Sequence, residues 1–294
     1  MTDPQLSAVI SERRQLINLA YRLLGSLTEA EDVVQETYAR WYALPEPRRQ
    51  EVVAPGAWLT TVAGRICLDL LGSARKRREQ YVGEWIPEPV PGHSEWFGGS
   101  ADPADRVTLD ESISMAFLVV LDSMTPAERV AFVLHDVFRY SFAEIADIVG
   151  RTPAACRQLA SSARRRIDTS RSPSAGERSE VVRDFKRAWE TNDLAALVDL
   201  LDPNATATAD SGGRAPAFRE PIIGGERIAR SWMEIAARGA KVTLAERTVN
   251  GQPGLVAELG GSIVSVYAFD IADQRITRIW VIRNPEKLRL WTAG

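Results

Sequence analysis

The stretch of the sequence with the clearest chemical use is TPAACRQLASSARRR, at residues 152–166. It opens with Thr152 and Pro153, which are typical of the N-cap and the first position of a helix. Arginine and glutamine can bind guanine and adenine edges in the major groove, and arginine also binds phosphates. The polar face of this helix carries such side chains beside small residues: Ala154, Arg157, Gln158, Ser161, Arg164 and Arg165. The stretch predicts a DNA-reading helix, and a solvated face with basic residues near a helix C-terminus is the alternative.

Histidine and cysteine do not form a site in this sequence. Cys67 and Cys156 are far apart, as are His93 and His135, and none of them matches a zinc spacing. We therefore expect packed thiols, no metal ion and no cofactor. Residues 176–294 contain neither His nor Cys, and we assign no catalytic residue in the chain.

Length and composition indicate a globular protein of two or three domains, since the chain has 294 residues, of which 45% are hydrophobic and 26% charged. The apolar runs are short, and the N-terminal residues carry charges where a signal peptide would have an apolar core. We therefore expect a cytoplasmic protein without a membrane span. The net charge of −3 argues against a uniformly basic surface, but basic residues cluster at 74–79 and 163–166.

A short turn joins the arginine-bearing helix to another helix before it. Ser141 and Glu144 predict a capping box at the start of that earlier helix, and Gly150 predicts its end. Thr125 gives the same start signal further upstream, and Thr152 begins the arginine-bearing helix. The predicted buried stripe of that helix is Ala155, Leu159, Ala163 and Ile167. Two helices joined in this way form a helix-turn-helix pattern, which DNA-binding proteins share with plain helical bundles.

Helix signals dominate residues 5–80. Thr28 and Glu31 predict a capping box at the start of LTEAEDVVQETYARWY. The apolar positions of this helix are Val33, Val34, Tyr38 and Trp41. Its polar face comprises Glu31, Asp32, Gln35, Glu36 and Arg40. The segment LPEPRRQEVVAPG predicts a loop, after which Trp58, Val62, Ile66 and Leu70 resume a helical spacing.

Residues 84–107 are rich in proline and glycine and predict a linker, although the aromatic side chains in WIPEP indicate that part of it docks on another surface. A second short linker is predicted at 172–180, followed by helices near 177–200 and in GGERIARSWMEIAARG, the latter ending at Gly239. The segments KVTLAERTV, LVAEL, SIVSVYAFDI and RITRIWVI predict strands, with Asn250 and Gly251 in a hairpin turn. Helices followed by an antiparallel sheet indicate an α+β domain.

These motifs together resemble a known family. LTEAEDVVQETYARWY, WLTTVAGRICLDLLGSARKRRE and the stretch from TPAERVAF to SSARRRI resemble regions two and four of extracytoplasmic-function sigma factors, which belong to the sigma-70 family. WIPEP, the DSGGR at 210–214 and the NPEKL at 284–288 resemble the sigma-J-like subgroup, which carries a C-terminal SnoaL-like domain.

The resemblance implies a fold of two all-α helical domains followed by an α+β, cone-shaped SnoaL-like domain with a curved antiparallel sheet. The implied domains are sigma region two at 1–83, a linker at 84–107, the helix-turn-helix of region four at 108–170 and a regulatory domain at 177–294.

The resemblance also implies a dissociable subunit of bacterial core RNA polymerase that directs transcription initiation at promoters. The implied core-polymerase-binding residues are Asp32, Gln35 and Glu36. The implied −10 DNA-binding residues are Arg65, Asp69, Arg75 and Arg77. The implied −35 DNA-binding residues are Arg157, Gln158, Ser161, Arg164 and Arg165. Leu70 and Gly72 stand where similar sequences often have basic residues, which bears on the strength of the −10 contacts.

For the C-terminal domain we expect a built-in regulator that replaces a separate anti-sigma factor. The expected regulatory contacts are Trp85, Pro87, Pro89, Asp210, Gly213, Arg214, Asn284, Pro285 and Leu288. The alternative is a DNA-binding transcription regulator whose C-terminal domain binds an unknown small ligand or is catalytic. The residues that could line a pocket for that purpose are Asp210, Arg214, Trp232, Tyr267, Asp270 and Trp280. Fold analogy alone does not establish such an activity.

Overall fold

The computed structural model describes residues 12–79, 81–92, 113–167, 174–237 and 242–292. The chain divides into two compact units, each described by itself below. The first unit comprises Met1–Glu79, Glu95–Ser112 and Val120–Asp168. The second unit comprises Gln80–Ser94, Ile113–Val119 and Thr169–Gly294. The start of the predicted linker, up to Ser94, therefore belongs to the same unit as the C-terminal domain.

The described part of the first unit is helical. Its helices are α1 (Arg13–Leu24), α2 (Leu27–Ala43), α3 (Glu46–Glu51), α4 (Pro55–Glu79), α5 (Met115–Asp122), α6 (Pro126–Phe132), a π-helical turn (Val133–Val137), α7 (Phe142–Val149) and α8 (Pro153–Arg164). The boundary between the two units falls within α5, after Val119.

The predicted start of α2 is wrong by two residues. Ser26, and not Thr28, is the N-cap, and its hydroxyl accepts a 3.3 Å bond from the Glu29 backbone N–H. The sequence offers two overlapping frames of a hydroxyl residue followed three positions later by a glutamate. Gly25 ends α1 in the left-handed conformation, and this short turn brings Ser26 to the cap. The predicted loop at 44–56 also contains a short helix, α3.

The predicted helix-turn-helix signals are confirmed. Thr125 and Ser141 each form a complete capping box, with Glu128 and Glu144 respectively. Gly150 ends α7 in the left-handed conformation, and the Thr152 hydroxyl accepts from the Ala155 N–H to start α8. The turn between α7 and α8 is therefore as short as the sequence indicates.

The buried stripe of α8 differs from the prediction. Ala163 is buried as predicted, but Cys156 and Ala160 take the other buried positions. Ala155, Leu159 and Ile167 are half-buried. Small residues occupy more than one face of this helix, and its packing against α6 and α7 buries the face that carries the Cys156 thiol. Cys67 in α4 is also buried and unbridged, and burial raises the pKa of its thiol.

The α1–α4 and α5–α8 segments of the first unit pack directly on each other. Arg129, which is buried, donates one guanidinium N–H to the Leu23 carbonyl at 2.8 Å and another to the Asp122 carboxylate at 2.6 Å. A Cβ atom at Gly64 would come within 2.9 Å of the Ile148 side chain, so the close approach of α4 and α7 depends on glycine at this position.

The second unit is an α+β domain. Its elements are α9 (Ala175–Glu190), α10 (Leu194–Leu200), β1 (Leu201–Asp210), β2 (Ile222–Ile223), α11 (Gly225–Ala237), β3 (Thr243–Val249), β4 (Gln252–Leu259), β5 (Ser262–Ala272), β6 (Arg275–Ile282) and α12 (Arg289–Thr292). The predicted end of the third helix at Gly239 lies outside the described residues.

The six strands form one sheet in the order β2-β1-β6-β5-β4-β3. Neighbouring strands are antiparallel as predicted, except that β1 runs parallel to β6. Register shifts interrupt the β4–β5 and β5–β6 pairs, and such irregularities bend a sheet. Asn250 and Gly251 both have positive φ angles, of 51° and 71°, as a type I′ hairpin turn requires.

The two faces of the sheet have separate apolar cores. Helices α9, α10 and α11 cover one face, where Phe185, Trp189 and Trp232 lie against Tyr267 and Phe269. The other face carries alternate residues of the same strands, as the period of two in a strand requires. Its core comprises Val249, Val256, Val266, Ala268, Trp280 and Ile282 with Ile86, Met115, Leu288 and Trp291. The second face is thus covered by the start of the linker and the C-terminal residues.

Candidate functional sites

Helix α2 presents a polar stripe to the solvent. Asp32, Gln35 and Glu36 are exposed, while Val33, Val34 and Thr37 on the other side of the helix are buried. Glu36 accepts a 2.8 Å bond from Arg40 one turn later, and both side chains are about half exposed. Exposed pairs of this spacing contribute only about 0.3–0.5 kcal/mol. The carboxylates of the stripe therefore remain available to a basic partner.

The residues predicted to bind the −10 element lie on α4. Asp69 is exposed, and Arg65 donates a 2.8 Å bond to the backbone carbonyl of Asp147 in α7. The side chains of Arg75 and Arg77 lie outside the described part of the chain. Gly72 faces open space, so a side chain at this position would meet no obstacle. Arg65 is therefore engaged by the first helix of the helix-turn-helix.

The polar face of α8 is where the sequence places it. Ala154, Arg157 and Gln158 are exposed, and Ser161 is half-buried. The guanidinium carbon of Arg157 lies 5.2 Å from the centre of the Phe142 ring, within the range of a cation–π contact.

The three consecutive arginines at the end of α8 have different environments. Arg164 makes two bonds to the Asp136 carboxylate, at 2.6 and 3.1 Å, and these bonds raise the pKa of the guanidinium. Arg166 donates to the Ser123 carbonyl at 2.7 Å. Arg165 is exposed and, within the described residues, its side chain has no ion-pair partner. Arg165 is thus the arginine of the three whose charge is best placed for a phosphate.

In the second unit, a buried carboxylate collects four donors. Asp210, at the end of β1, is 0% exposed. One of its oxygens accepts from the Tyr81 hydroxyl at 2.6 Å and from the Gly212 N–H at 3.1 Å. The other accepts from the Ile86 N–H at 2.9 Å and from the Lys287 ammonium at 2.6 Å. Each of its oxygens thus has two donors, which offsets the cost of burying a polar group away from water.

Lys287 is the cation of this cluster. Its ammonium also donates to the backbone carbonyl of Ile86, and it lies 4.3 Å from the ring centre of Trp85 and 5.3 Å from that of Tyr81. Burial, and then the bond to Asp210, raises the pKa of the Tyr81 phenol. The Asp210–Lys287 pair therefore binds Tyr81, Trp85 and Ile86, at the start of the predicted linker.

Glycine is required beside this cluster. The Tyr81 hydroxyl accepts a 2.7 Å bond from the Asn284 amide. A Cβ atom at Gly212 would lie 2.5 Å from that amide nitrogen, and Gly212 has a φ angle of 56°. Both the space and the backbone conformation exclude a larger residue. The DSGGR and NPEKL segments thus meet at the same point.

The remainder of the segment is bound by backbone and amide groups. The Val90 N–H donates to the Asn250 side-chain oxygen at 3.0 Å, and the Asn250 N–H donates back to the Val90 carbonyl at 2.8 Å. The Asn250 side-chain amide donates to the Ile113 carbonyl at 2.9 Å. The Trp291 indole N–H donates to the Pro89 carbonyl at 2.9 Å. We call the stretch 85–91 the docked segment.

Comparison with known proteins supports the family. The chain matches the Sigma-70 region 2 family over residues 9–77 and the Sigma-70, region 4 family over residues 114–167. The ECF RNA polymerase sigma factor SigJ of Mycobacterium tuberculosis is 37% identical over 289 residues, which cover 94% of this chain and 90% of that protein. This chain is an extracytoplasmic-function RNA polymerase sigma factor of the SigJ type.

Two further relatives agree. The probable ECF RNA polymerase sigma factor SigI of Mycobacterium tuberculosis is 34% identical over 97% of this sigma factor and 95% of its own length. The crystal structure of the Mycobacterium tuberculosis SigJ matches with a TM-score of 0.74 and 34% identity, covering 96% of this chain and 98% of that one. A sigma factor binds core RNA polymerase and promoter DNA, as the resemblance in the sequence implies.

The predicted fold class is confirmed: helical sigma domains precede an α+β domain. Of the sigma factor's expected regulatory contacts, Trp85, Pro89, Asp210, Asn284 and Leu288 come together, and Pro87 is buried within the docked segment. Gly213 lies against Val82, whereas Pro285 is exposed. Arg214 makes an exposed 3.0 Å ion pair with Glu286. Their regulatory role stays a prediction.

Four residues at the docked segment were missed. They are Tyr81, Asn250, Lys287 and Trp291. Lys287 lies inside the quoted NPEKL motif, but a lysine is ordinarily exposed, so nothing local marks it as buried. The sequence predicts Asn250 in a turn, and its positive φ angle agrees. Its side chain also bonds to Val90 and Ile113, which no turn signal indicates.

The sigma factor's suggested pocket residues do not converge on one point. Tyr267 and Trp232 lie in the core under the helices, Trp280 lies in the core of the opposite face, and Asp210 belongs to the Lys287 cluster. Within the described ranges no group of three metal-ligating side chains is positioned to hold a metal ion. None of the helices in those ranges is both long and apolar enough to cross a membrane.

Proposed function

We propose that this sigma factor contacts polymerase and promoter through the residues predicted from its sequence, and that its C-terminal domain is a built-in regulator. The observation that carries the second part is the buried Asp210–Lys287 pair, which holds the docked segment against the sheet. That segment is part of the chain that connects regions two and four. We further propose that the protein acts in the cytoplasm, where its polymerase partner works, with no separate anti-sigma factor.

The polar stripe on α2 supports the polymerase contact. Asp32, Gln35 and Glu36 lie side by side on the exposed face, so a basic surface can meet several acceptors at once. Attraction of this kind raises the association rate and fixes the register of a complex. The −10 contacts are proposed for Arg65, Asp69, Arg75 and Arg77 on α4. The −35 contacts are proposed for Arg157, Gln158, Ser161, Arg164 and Arg165.

Replacing Glu36 by Lys is expected to weaken binding to core polymerase by about ten-fold, because it places a like charge against a basic partner. The measurement is a titration of fluorescently labelled full-length protein with core enzyme. The matched control is Glu226→Lys on α11, which loses the same kind of i,i+4 pair, with Arg230. Equal affinities for Glu36→Lys and the wild type would contradict the assignment.

Arg157→Ala and Arg165→Ala are expected to have different effects on promoter binding. Loss of a guanidinium from a base edge should cost ~1–3 kcal/mol and relax the preference at one −35 position. Loss of a phosphate contact at Arg165 should weaken binding to all sequences and reduce the slope of log affinity against log salt by about 1. Binding measured across a set of −35 variants at several salt concentrations distinguishes the two, and indistinguishable profiles would contradict the division.

The first unit supports a closed state before promoter binding. The guanidinium of Arg65 is bonded to Asp147, and the Gly64 backbone meets Ile148, so α4 and α7 cover each other. On a promoter, the −10 and −35 elements are separated by about 25 base pairs, or roughly 85 Å at ~3.4 Å per step. Regions two and four must therefore leave this contact before both elements can be bound.

Docking of 85–91 shortens the connection available for that separation. Seven residues in extended form span roughly 22 Å at ~3.1 Å each. While the segment is bound, this length cannot contribute to the distance between regions two and four. The docking partner is on the same chain, so its effective concentration can reach the millimolar range and even weak contacts are populated. The C-terminal domain can therefore restrain the sigma regions without any other protein.

We propose no catalytic activity for the C-terminal domain. Asp210, the buried carboxylate that would be the natural general base, already accepts from four donors. A ligand-binding role is the second candidate, and the Trp232 indole favours it, since its N–H is buried among aromatic rings with no acceptor within reach in the described part of the chain. Equal transcript yields from full-length and truncated chains would favour this second role over regulation.

A further inference from the structure

A π-helical turn lies directly before the helix-turn-helix, at Val133–Val137. Its closing bond runs from the Phe138 N–H to the Val133 carbonyl five residues back, at 3.2 Å. Such turns insert one extra residue into a helix and recur at functional sites. Here the turn carries His135, whose ring stacks on Phe142 at the start of α7.

The stack on Phe142 has a defined geometry. The His135 and Phe142 ring centres are 4.0 Å apart with an interplanar angle of 26°. His135 Nδ1 lies 2.9 Å from the Tyr140 carbonyl, and an N–H at this position donates to that oxygen and fixes the imidazole plane. The Arg157 guanidinium carbon lies over the Phe142 ring, 5.2 Å from its centre. A backbone carbonyl, two stacked rings and a guanidinium thus follow one another towards the exposed face of α8.

This arrangement lowers the conformational entropy that an exposed arginine side chain loses when it binds a base edge. A guanine edge is recognised by two parallel bonds from a guanidinium fork, and an exposed arginine side chain must lose much of its rotamer freedom to form them. An aromatic face beneath the guanidinium restricts that freedom before DNA arrives.

We infer that His135 and Phe142 are positioning residues for promoter recognition, which hold the Arg157 guanidinium for a base edge of the −35 element. The inference rests on the proposed role of Arg157 and deepens it. Phe142 needs no contact with DNA for this role, since it acts through Arg157. His135 acts one step further away, by fixing the Phe142 ring.

The test is Phe142→Leu, which keeps an apolar side chain of similar size but removes the π face. The probe is a set of promoter duplexes, selected from a library randomised across the −35 region with full-length protein bound to core polymerase. Phe142→Leu is expected to reduce discrimination at the position read by Arg157 about two- to five-fold, as an exposed cation–π contact would. Phe142→Tyr, which keeps the π face, should restore it. In an Arg157→Ala background, Phe142→Leu should have no further effect on discrimination.

The matched control is Phe138→Leu. Phe138 is a half-buried aromatic residue of the same segment that lies under Arg22, an arginine outside the DNA-reading face, so base preference should stay unchanged. If Arg157→Ala leaves the base preference unchanged, the proposed role of Arg157 fails and this inference fails with it. If Arg157→Ala relaxes the preference and Phe142→Leu does not, the inference alone is overturned. Additive effects in the double variant, or no rescue by tyrosine, would overturn it as well, because Phe142 would then act on the fold and not through Arg157.

Discussion

Asp210→Asn is expected to lower the free energy of unfolding of the second unit by about 3–5 kcal/mol, the usual cost of removing one partner from a buried ion pair. The Asp210 carboxylate is fully buried and contacts the Lys287 ammonium at 2.6 Å. An amide in its place carries no charge, so the ammonium stays in an apolar environment without that carboxylate. The amide nitrogen would also face donors, namely the Ile86 N–H or the Tyr81 hydroxyl.

The measurement is urea unfolding of the full-length protein, with limited proteolysis at the docked segment as the readout. The matched control is Arg214→Ala, which removes an ion pair of similar length to Glu286 in the same two motifs. Both of those side chains are about half exposed or more, so the control should cost only about 0–1 kcal/mol. A loss for Asp210→Asn no larger than that of the control would contradict the role of the buried pair.

Truncation of the chain before Asn284 is expected to raise transcription from a target promoter several-fold. It removes Lys287 from the Asp210 cluster. It also removes Leu288 and Trp291 from the core on the sheet face opposite helices α9–α11, which we call the outer face. Docking of 85–91 then loses both its ion pair and the indole bond to Pro89. Each ~1.4 kcal/mol of docking free energy that is lost shifts the released fraction ten-fold until release is complete.

Transcription in vitro with purified core polymerase measures this effect without any other protein. Deletion of the whole domain from Gly176 should behave differently from the short truncation, because it also removes Asp210 and Asn250, which bind the Ile86 and Val90 N–H groups. Trp291→Phe is the milder companion, since it keeps an aromatic ring in the outer core and removes the indole N–H. It should lie between the wild type and the truncation. Identical yields from all four forms would contradict a regulatory role.

Local signals sufficed for the helix-turn-helix. Ser141 with Glu144 caps the start of α7, Gly150 ends it, and Thr152 with Pro153 starts α8, in each case through groups within four residues of one another. Such bonds depend on the neighbouring sequence and little else, and the structure confirms them. The N-cap of α2 could not be predicted in this way, because two equally good capping frames overlap at Ser26 and Thr28. The turn at Gly25 selects Ser26.

The buried stripe of α8 required information that the helix itself does not contain. Alanine, cysteine and serine are all small enough to lie inside or outside, so the period of 3.6 leaves several faces open. Packing against α6 and α7 buries Cys156 and Ala160 instead of Ala155 and Leu159.

The candidate regulatory site could be predicted as a set of motifs but not as a contact. The family resemblance named WIPEP, DSGGR and NPEKL, yet Tyr81 and Asp210 are separated by 129 positions. No local pattern indicates which side chain meets which across that distance. From the sequence, Lys287 is expected on the surface and Asn250 in a turn. Their buried bonds form only where the outer face of the sheet contacts the start of the linker.

The most direct test of the central claim is amide hydrogen exchange of the docked segment, compared between the free protein and its complex with core polymerase and promoter DNA. The Ile86 and Val90 N–H groups are buried and bonded to the Asp210 and Asn250 side chains. We predict slow exchange of these two amides in the free protein and much faster exchange in the promoter complex. Fast exchange in the free protein, or equally slow exchange in both states, would contradict a docked segment that is released when the sigma factor engages its promoter.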